Sequence, residues 1–185
     1  MIKKIVQYIF TRARNLCYYL NNKSRVVVKM ENNKLTVFDV ADFFRKKENM
    51  THKKLQKLVY FAYAWYIALN NENKNNLKNK LCEDTKFQAW VHGPVCKALY
   101  NKFSNNYGNV EKYNGNLSPL ITGETKSYLE KVYKVFGKFT GDDLESMTHR
   151  ELPWQNARKG LEPYMPSNAI ISEEDMFVYY NSLRG

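Results

Sequence analysis

The stretch that decides the fold is Thr51-His52-Lys53-Lys54-Leu55-Gln56-Lys57-Leu58-Val59-Tyr60-Phe61-Ala62-Tyr63-Ala64-Trp65-Tyr66-Ile67-Ala68-Leu69-Asn70. Leu55, Leu58, Val59, Ala62, Trp65, Tyr66 and Leu69 recur at the three- and four-residue spacing of one helical face. Phe61 and the remaining aromatics widen that stripe almost all the way round. A helix apolar on most faces is usually enclosed by the rest of its domain. The reading is therefore a central helix over residues 51–70 with other elements wrapped around it. Thr51 stands at its N-cap, where a side-chain oxygen meets an otherwise unpaired N–H. Asn70 to Lys80 is rich in Asn and Lys and reads as a solvated loop.

Working outward, Thr36 opens a short helix with Val37, Val40, Ala41 and Phe44 on one face. Thr85 to Val91 alternates weakly, as a short edge strand does, and His92-Gly93-Pro94-Val95 reads as a turn. Pro94 is placed in the first turn of the following helix, whose inner face is Val95, Ala98, Leu99 and Phe103. A short strand is read near Asn109–Tyr113. A helix follows from Thr122 to about Phe139, and Thr140-Gly141-Asp142-Asp143 caps another, built on Leu144 and Met147. Glu151-Leu152-Pro153-Trp154 ends that helix and opens a further turn. Ser172-Glu173-Glu174-Asp175 begins the last helix, its acids set against the positive end of the helix dipole. The fold class is mainly α: a compact helical domain around the central helix, with at most a small sheet or hairpin.

The chain has 185 residues, with 29 Lys+Arg against 18 Asp+Glu, a net charge of +11. Residues 1–35 hold eight of the bases and one acid, Glu31, so +7 of the charge lies there and +4 in residues 36–185. This divides the chain into a basic N-terminal extension, 1–35, and a nearly balanced domain, 36–185. Within the extension Ile2, Ile5, Val6, Ile9, Phe10, Ala13 and Leu16 form an amphipathic stripe with a basic opposite face. Such a helix docks on the domain or a partner chain, or serves as a membrane-surface or nucleic-acid arm. Arg25 to Met30 reads as a short strand, and Met30 is a candidate second translation start. No apolar run approaches the roughly 20 residues of a transmembrane helix, and Ile5–Phe10 is too short for a secretion signal. Cys17, Cys82 and Cys96 are odd in number and without metal-ligand spacing, which fits a reducing cytoplasm.

The chain carries no phosphate-binding glycine loop, no nucleophile elbow and no zinc-protease motif. His92 and Cys96 lie four apart, but a thiol–imidazole pair needs hydrogen-bond reach and usually an orienting third group. Cys96 reads instead as a small buried residue in the first turn of a helix. Asp142 and Asp143 read as capping acids. His149, beside Glu151, could act as a base; the plainer expectation is a bond to backbone or a neighbouring acid that locks the helix end. No catalytic, metal or cofactor residues are assigned.

Leu55-Gln56-Lys57-Leu58-Val59-Tyr60-Phe61 with Trp65 resembles the opening signature of the Panacea domain, the SocA-type antitoxin family. The resemblance continues through Phe87-Gln88-Ala89-Trp90, Gly93-Pro94-Val95 and Tyr100, and ends with Thr148-His149 and Pro153-Trp154 before Ala157-Arg158. Four pieces in order, spanning about residues 36 to 183, make it specific. Two positions depart from the pattern: His92 before Gly-Pro, and Glu151-Leu152 before Pro153, where a Gly or Ser is frequent.

The resemblance implies a non-enzymatic, cytoplasmic protein-binding domain. Its role would be that of an antitoxin of a type II toxin–antitoxin pair, encoded by a host, phage or mobile element, that neutralises a cognate toxin or host protein by direct contact. A second implied role is an adaptor that delivers its partner to a ClpXP-type protease. The basic arm adds a third possibility, DNA binding in autoregulation. The signature aromatics either build the fold or face the partner, since Tyr and Trp serve well in both places.

Overall fold

The computed structural model describes residues 34–83, 85–104 and 108–184. The helix read over Ile2–Leu16, the strand read over Arg25–Met30 and most of the proposed extension lie outside the described residues. The described elements are α1 (Val37–Arg45), β1 (Met50–Thr51), α2 (His52–Asn70), β2 (Phe87–Trp90), β3 (Gly93–Cys96) and α3 (Lys97–Phe103). They continue with β4 (Asn109–Val110), α4 (Gly123–Phe136), α5 (Gly141–Thr148), α6 (Leu152–Ala157) and α7 (Glu173–Ser182). The architecture is mainly α with two small antiparallel two-stranded sheets, β1–β4 and β2–β3.

Helix α2 is the axis of the domain. Thr51 Oγ1 accepts from the Lys54 N–H at 3.1 Å and starts it. Fourteen of its 19 residues are buried, so every side of it needs a neighbour. Those neighbours are α7, α5, the β2–β3 hairpin, α1, α4 and α3. Phe61 stacks on Phe136 of α4 with ring centroids 4.2 Å apart. Trp65 meets Tyr180 of α7 edge-on at 4.9 Å. Each such buried ring contributes about 1.5–3 kcal/mol of transfer free energy, which outweighs the small propensity penalty of aromatics in a helix. The core also takes in Leu35, 1% exposed, just before α1.

Capping fixes the ends of the surrounding helices. Thr36–Asp39 and Thr140–Asp143 both form reciprocal capping boxes, at α1 and α5. Ser172 Oγ accepts from the Asp175 N–H at the start of α7.

One local expectation is corrected. Pro94 does not open a helix: Gly93–Cys96 is a strand, and α3 begins at Lys97. The strand register pairs Phe87 with Cys96, Ala89 with Pro94 and Trp90 with Gly93. The Ala89 N–H points the other way, to the Ala169 carbonyl at 2.8 Å, so the pair that Pro94 joins has no ladder bond for the missing N–H to break. Cys96, read as a first-turn residue, is the N-cap of α3. The far edge of β2 is covered by residues 169–171, through Ile171 N–H to the Phe87 carbonyl at 2.8 Å and an antiparallel bridge of Gln88 with Ile170.

Candidate partner-binding surface

The signature residues fall into three groups. The first builds the core: Leu55, Leu58, Tyr60, Phe61 and Trp65 on α2 are buried, and Val95 is 6% exposed on β3.

The second group fastens the hairpin to α2. The Gln56 side-chain amide pairs with the Cys96 backbone like a neighbouring strand. Its Oε1 accepts the Cys96 N–H at 2.9 Å, and its Nε2 donates to the Cys96 carbonyl at 3.2 Å. The next residue, Lys57, 1% exposed, donates from Nζ to the Pro94 carbonyl at 3.1 Å. Burial pushes the Lys57 amine down to about 7, with Glu145 opposing the fall and Lys53 adding to it. Gly93 closes this contact. Its φ is +90°, and a Cβ there would lie 2.7 Å from Thr148 Oγ1 and 2.8 Å from Lys57 Cε. Thr148 donates its hydroxyl back to the Glu145 carbonyl at 2.9 Å. Pieces widely separated in sequence (Gln56-Lys57, Gly93-Pro94, Thr148) thus meet at one point.

Glu151, where the sequence departs from the family pattern, is the most enclosed acid of the site, 5% exposed. Its carboxyl accepts the Tyr60 hydroxyl at 3.0 Å and the Tyr180 hydroxyl at 2.8 Å. Burial raises it to about 8, against the pull of both hydroxyls, which favour the charged form. Pro153, also buried, follows it in the first turn of α6.

The third group reaches solvent. Trp90, Tyr100, His149 and Trp154 are half-buried or exposed and join in a chain. Tyr100, 39% exposed, lies against Trp90 at 4.8 Å and against His52 at 5.3 Å. Trp154 Nε1 donates to the Trp90 carbonyl at 3.0 Å. His149 stacks on Trp154 at 4.2 Å and 22°, and the Arg158 guanidinium lies 5.1 Å from the Trp154 ring centre. Leu152, 53% exposed, extends from the same helix as Trp154.

The polar residues near this chain are tied to one another. Lys53 Nζ pairs with Glu145 Oε2 at 2.6 Å and with Asp142 Oδ1 at 2.8 Å, and His92 Nδ1 lies 3.0 Å from Glu145 Oε1. The acid within reach of His149 is Glu145, with Nε2 3.9 Å from its Oε1, rather than Glu151. Burial lowers the basicity of His149, against the pull of the nearby Glu145 carboxylate. His92 and Cys96 sit at opposite ends of the hairpin's second half, with His92 held by Glu145 and Cys96 3% exposed. Burial pushes the Cys82 thiol up to about 12 and raises that of Cys96. Among the described residues no group of three or more His, Cys, Asp or Glu side chains is placed to hold a metal, and no helix is long and apolar enough to cross a membrane.

Sequence reasoning missed two organisers. Glu145 collects Lys53 from α2, His92 from the hairpin turn and His149 from the end of its own helix, and only the last, four residues on, is a spacing visible along the chain. Arg158, 5% exposed, donates to the carbonyls of Ala89, Glu162, Pro163 and Met165 and so shapes the strap after α6. Its only sequence signal was its place at the end of the family signature.

Residues 55–155 match the family model described as antitoxin SocA-like, Panacea domain. No curated protein matches the chain, and no solved structure does.

Proposed function

The chain belongs to the SocA-like Panacea antitoxin family, and from that premise we propose that it is a non-enzymatic, cytoplasmic binding domain that neutralises a partner protein by direct contact. The observation that carries this reading is the division of labour among the signature residues. Most are consumed in core packing and in fastening the hairpin. Those left at the surface, Trp90, Tyr100, His149 and Trp154, form one linked aromatic chain with Leu152 beside it. Half-exposed Trp and Tyr held rigidly by their neighbours are the residues that dominate binding energies, because large apolar area is presented with little rotamer entropy to lose. The partner is the product of a neighbouring gene, a toxin or another growth-inhibiting protein.

The test is co-expression with that product, followed by co-purification. Tyr100→Ala and Leu152→Glu alter exposed side chains. Each is expected to weaken the complex at least tenfold and to abolish growth rescue while leaving the unfolding midpoint near that of the wild type. Full rescue by both variants would overturn this surface. The partner's half-life in the presence of a ClpXP-type protease, with and without this chain, separates occlusion from delivery to degradation.

A further inference from the structure

Residues 169–171 run antiparallel along the outer side of β2 and add a third short strand to the β2–β3 hairpin. The opposite side, beyond β3, is closed: the Gln56 amide takes both backbone groups of Cys96, and Lys57 takes the Pro94 carbonyl. The side beyond residues 169–171 is open. The Ala169 carbonyl and the Ile171 N–H both turn inward to β2, at 2.8 Å each. Successive residues of a strand direct their backbone groups to opposite sides, so the N–H and carbonyl of Ile170 turn outward. Among the described residues none bonds to either group, and Ile170 is 49% exposed. The edge Asn168-Ala169-Ile170-Ile171 holds no charge and no proline, the usual protections of an open edge.

A cleft of about 210 Å³ lies beside this edge, over buried Phe87, Ile171 and Met176. It is smaller than the roughly 300–1,000 Å³ of a small-molecule site and suits a single side chain. Of the charges that line it, Lys80 pairs with Glu173 and Glu83 pairs with Lys34, each at 2.7 Å. Lys86, exposed, has no ion pair among the described residues.

We propose that an extended segment of another protein adds to this edge as a further strand. Its backbone pairs with the Ile170 N–H and carbonyl, as in β-augmentation. The pleat then fixes what its side chains meet. The residue opposite Ile170 shares the outer face with it, and the next residue projects on the Phe87 and Ile171 face, over the cleft. A fitting segment therefore carries two successive apolar residues and an acid within reach of Lys86. A second copy presenting the same edge brings another Lys86 in place of that acid. The proposal does not rest on the surface formed by Trp90, Tyr100, His149 and Trp154.

The experiment selects displayed random heptapeptides on the full chain and measures the enriched ones, as synthetic peptides, by fluorescence anisotropy. Two successive apolar residues beside an acid are expected among them. Methylating the peptide's backbone nitrogens one at a time is expected to weaken binding at least tenfold at alternate positions only. Ile170→Pro removes the outward N–H and leaves both bonds to β2, and is expected to weaken binding at least tenfold. Lys86→Glu is expected to weaken it at least threefold. If Ile170→Pro lowers the unfolding midpoint, Lys86→Glu and the methylation series decide. Tyr100→Ala and Leu152→Glu are expected to leave peptide affinity unchanged, so a failure of the partner surface and a failure of this edge are read apart. No enrichment, binding indifferent to both Ile170→Pro and Lys86→Glu, or losses spread evenly over the methylated positions would overturn the proposal. A dimer in sedimentation that Ile170→Pro abolishes would assign the edge to a second copy and overturn it as well.

Discussion

Glu151→Gln tests the buried centre of the domain. Glu151 is enclosed by α2, α6 and α7, with two tyrosine hydroxyls on its carboxyl. Burial raises it from 4.5 to about 8. An acid whose folded value lies above its ordinary one stabilises the fold fully below pH 4.5. It loses that contribution as the pH rises through 8. Each pH unit inside that window costs about 1.4 kcal/mol, so from pH 5 to pH 7 the loss is ~3 kcal/mol. That is a large fraction of the 5–15 kcal/mol by which domains of this size are stable. Glutamine keeps the shape and still accepts a hydroxyl, but it does not titrate. His52 and His149, both lowered by burial, push stability the opposite way over the same range, so the quantity to follow is the difference between wild type and variant. Urea unfolding at pH 5, 6 and 7 measures it. Wild type is expected to lose about 3 kcal/mol relative to Glu151→Gln across that range. Parallel pH profiles for the two proteins would refute the buried, proton-holding carboxyl.

Lys57→Met probes the opposite limb. The Lys57 amine is lowered to about 7 from 10.5, so its contribution is present above pH 10.5 and lost as the pH falls through 7. Wild type should gain stability from pH 7.5 to pH 10, and the methionine variant should lose that slope in the same denaturant titration. Gly93→Ala combines a strained left-handed backbone with a Cβ 2.7 Å from Thr148. It is expected to cost about 2–5 kcal/mol, read as a drop in the unfolding midpoint. Arg158→Lys gives up most of the guanidinium's bonds to the strap carbonyls. Limited proteolysis between residues 158 and 166 should speed up several-fold while hydrogen exchange in α2 stays slow.

The central helix was legible because a 19-residue run apolar on most faces has no stable place except the middle of a domain. Its N-cap, the capping sequence at Thr140–Asp143 and the start of α7 were legible because capping is a contact across three residues; the box that Thr36 forms with Asp39 was not read, only that a helix begins at Thr36. The misplacement of Pro94 shows where local reading stops. Gly-Pro before an apolar run suits a helix start, and only the partner strand and the Gln56 amide, 40 residues away, claim that backbone for a sheet. Glu151 shows the same limit from the other side. As a string it looked like an odd residue at a helix boundary, and its role depends on Tyr60 and Tyr180 arriving from α2 and α7.

By itself the sequence determined the helical class, the central helix, the helix starts and, through four ordered signature pieces, the family. These rest on periodicity and on short-range bonding, which are properties of neighbouring residues. The tertiary structure alone decided which signature residues are interior. It also decided that Glu145 and Arg158 organise the surface, and that Trp90, Tyr100, His149 and Trp154 form one exposed chain. Burial and contact between distant segments are set by how helices pack around α2, and no spacing along the chain records that.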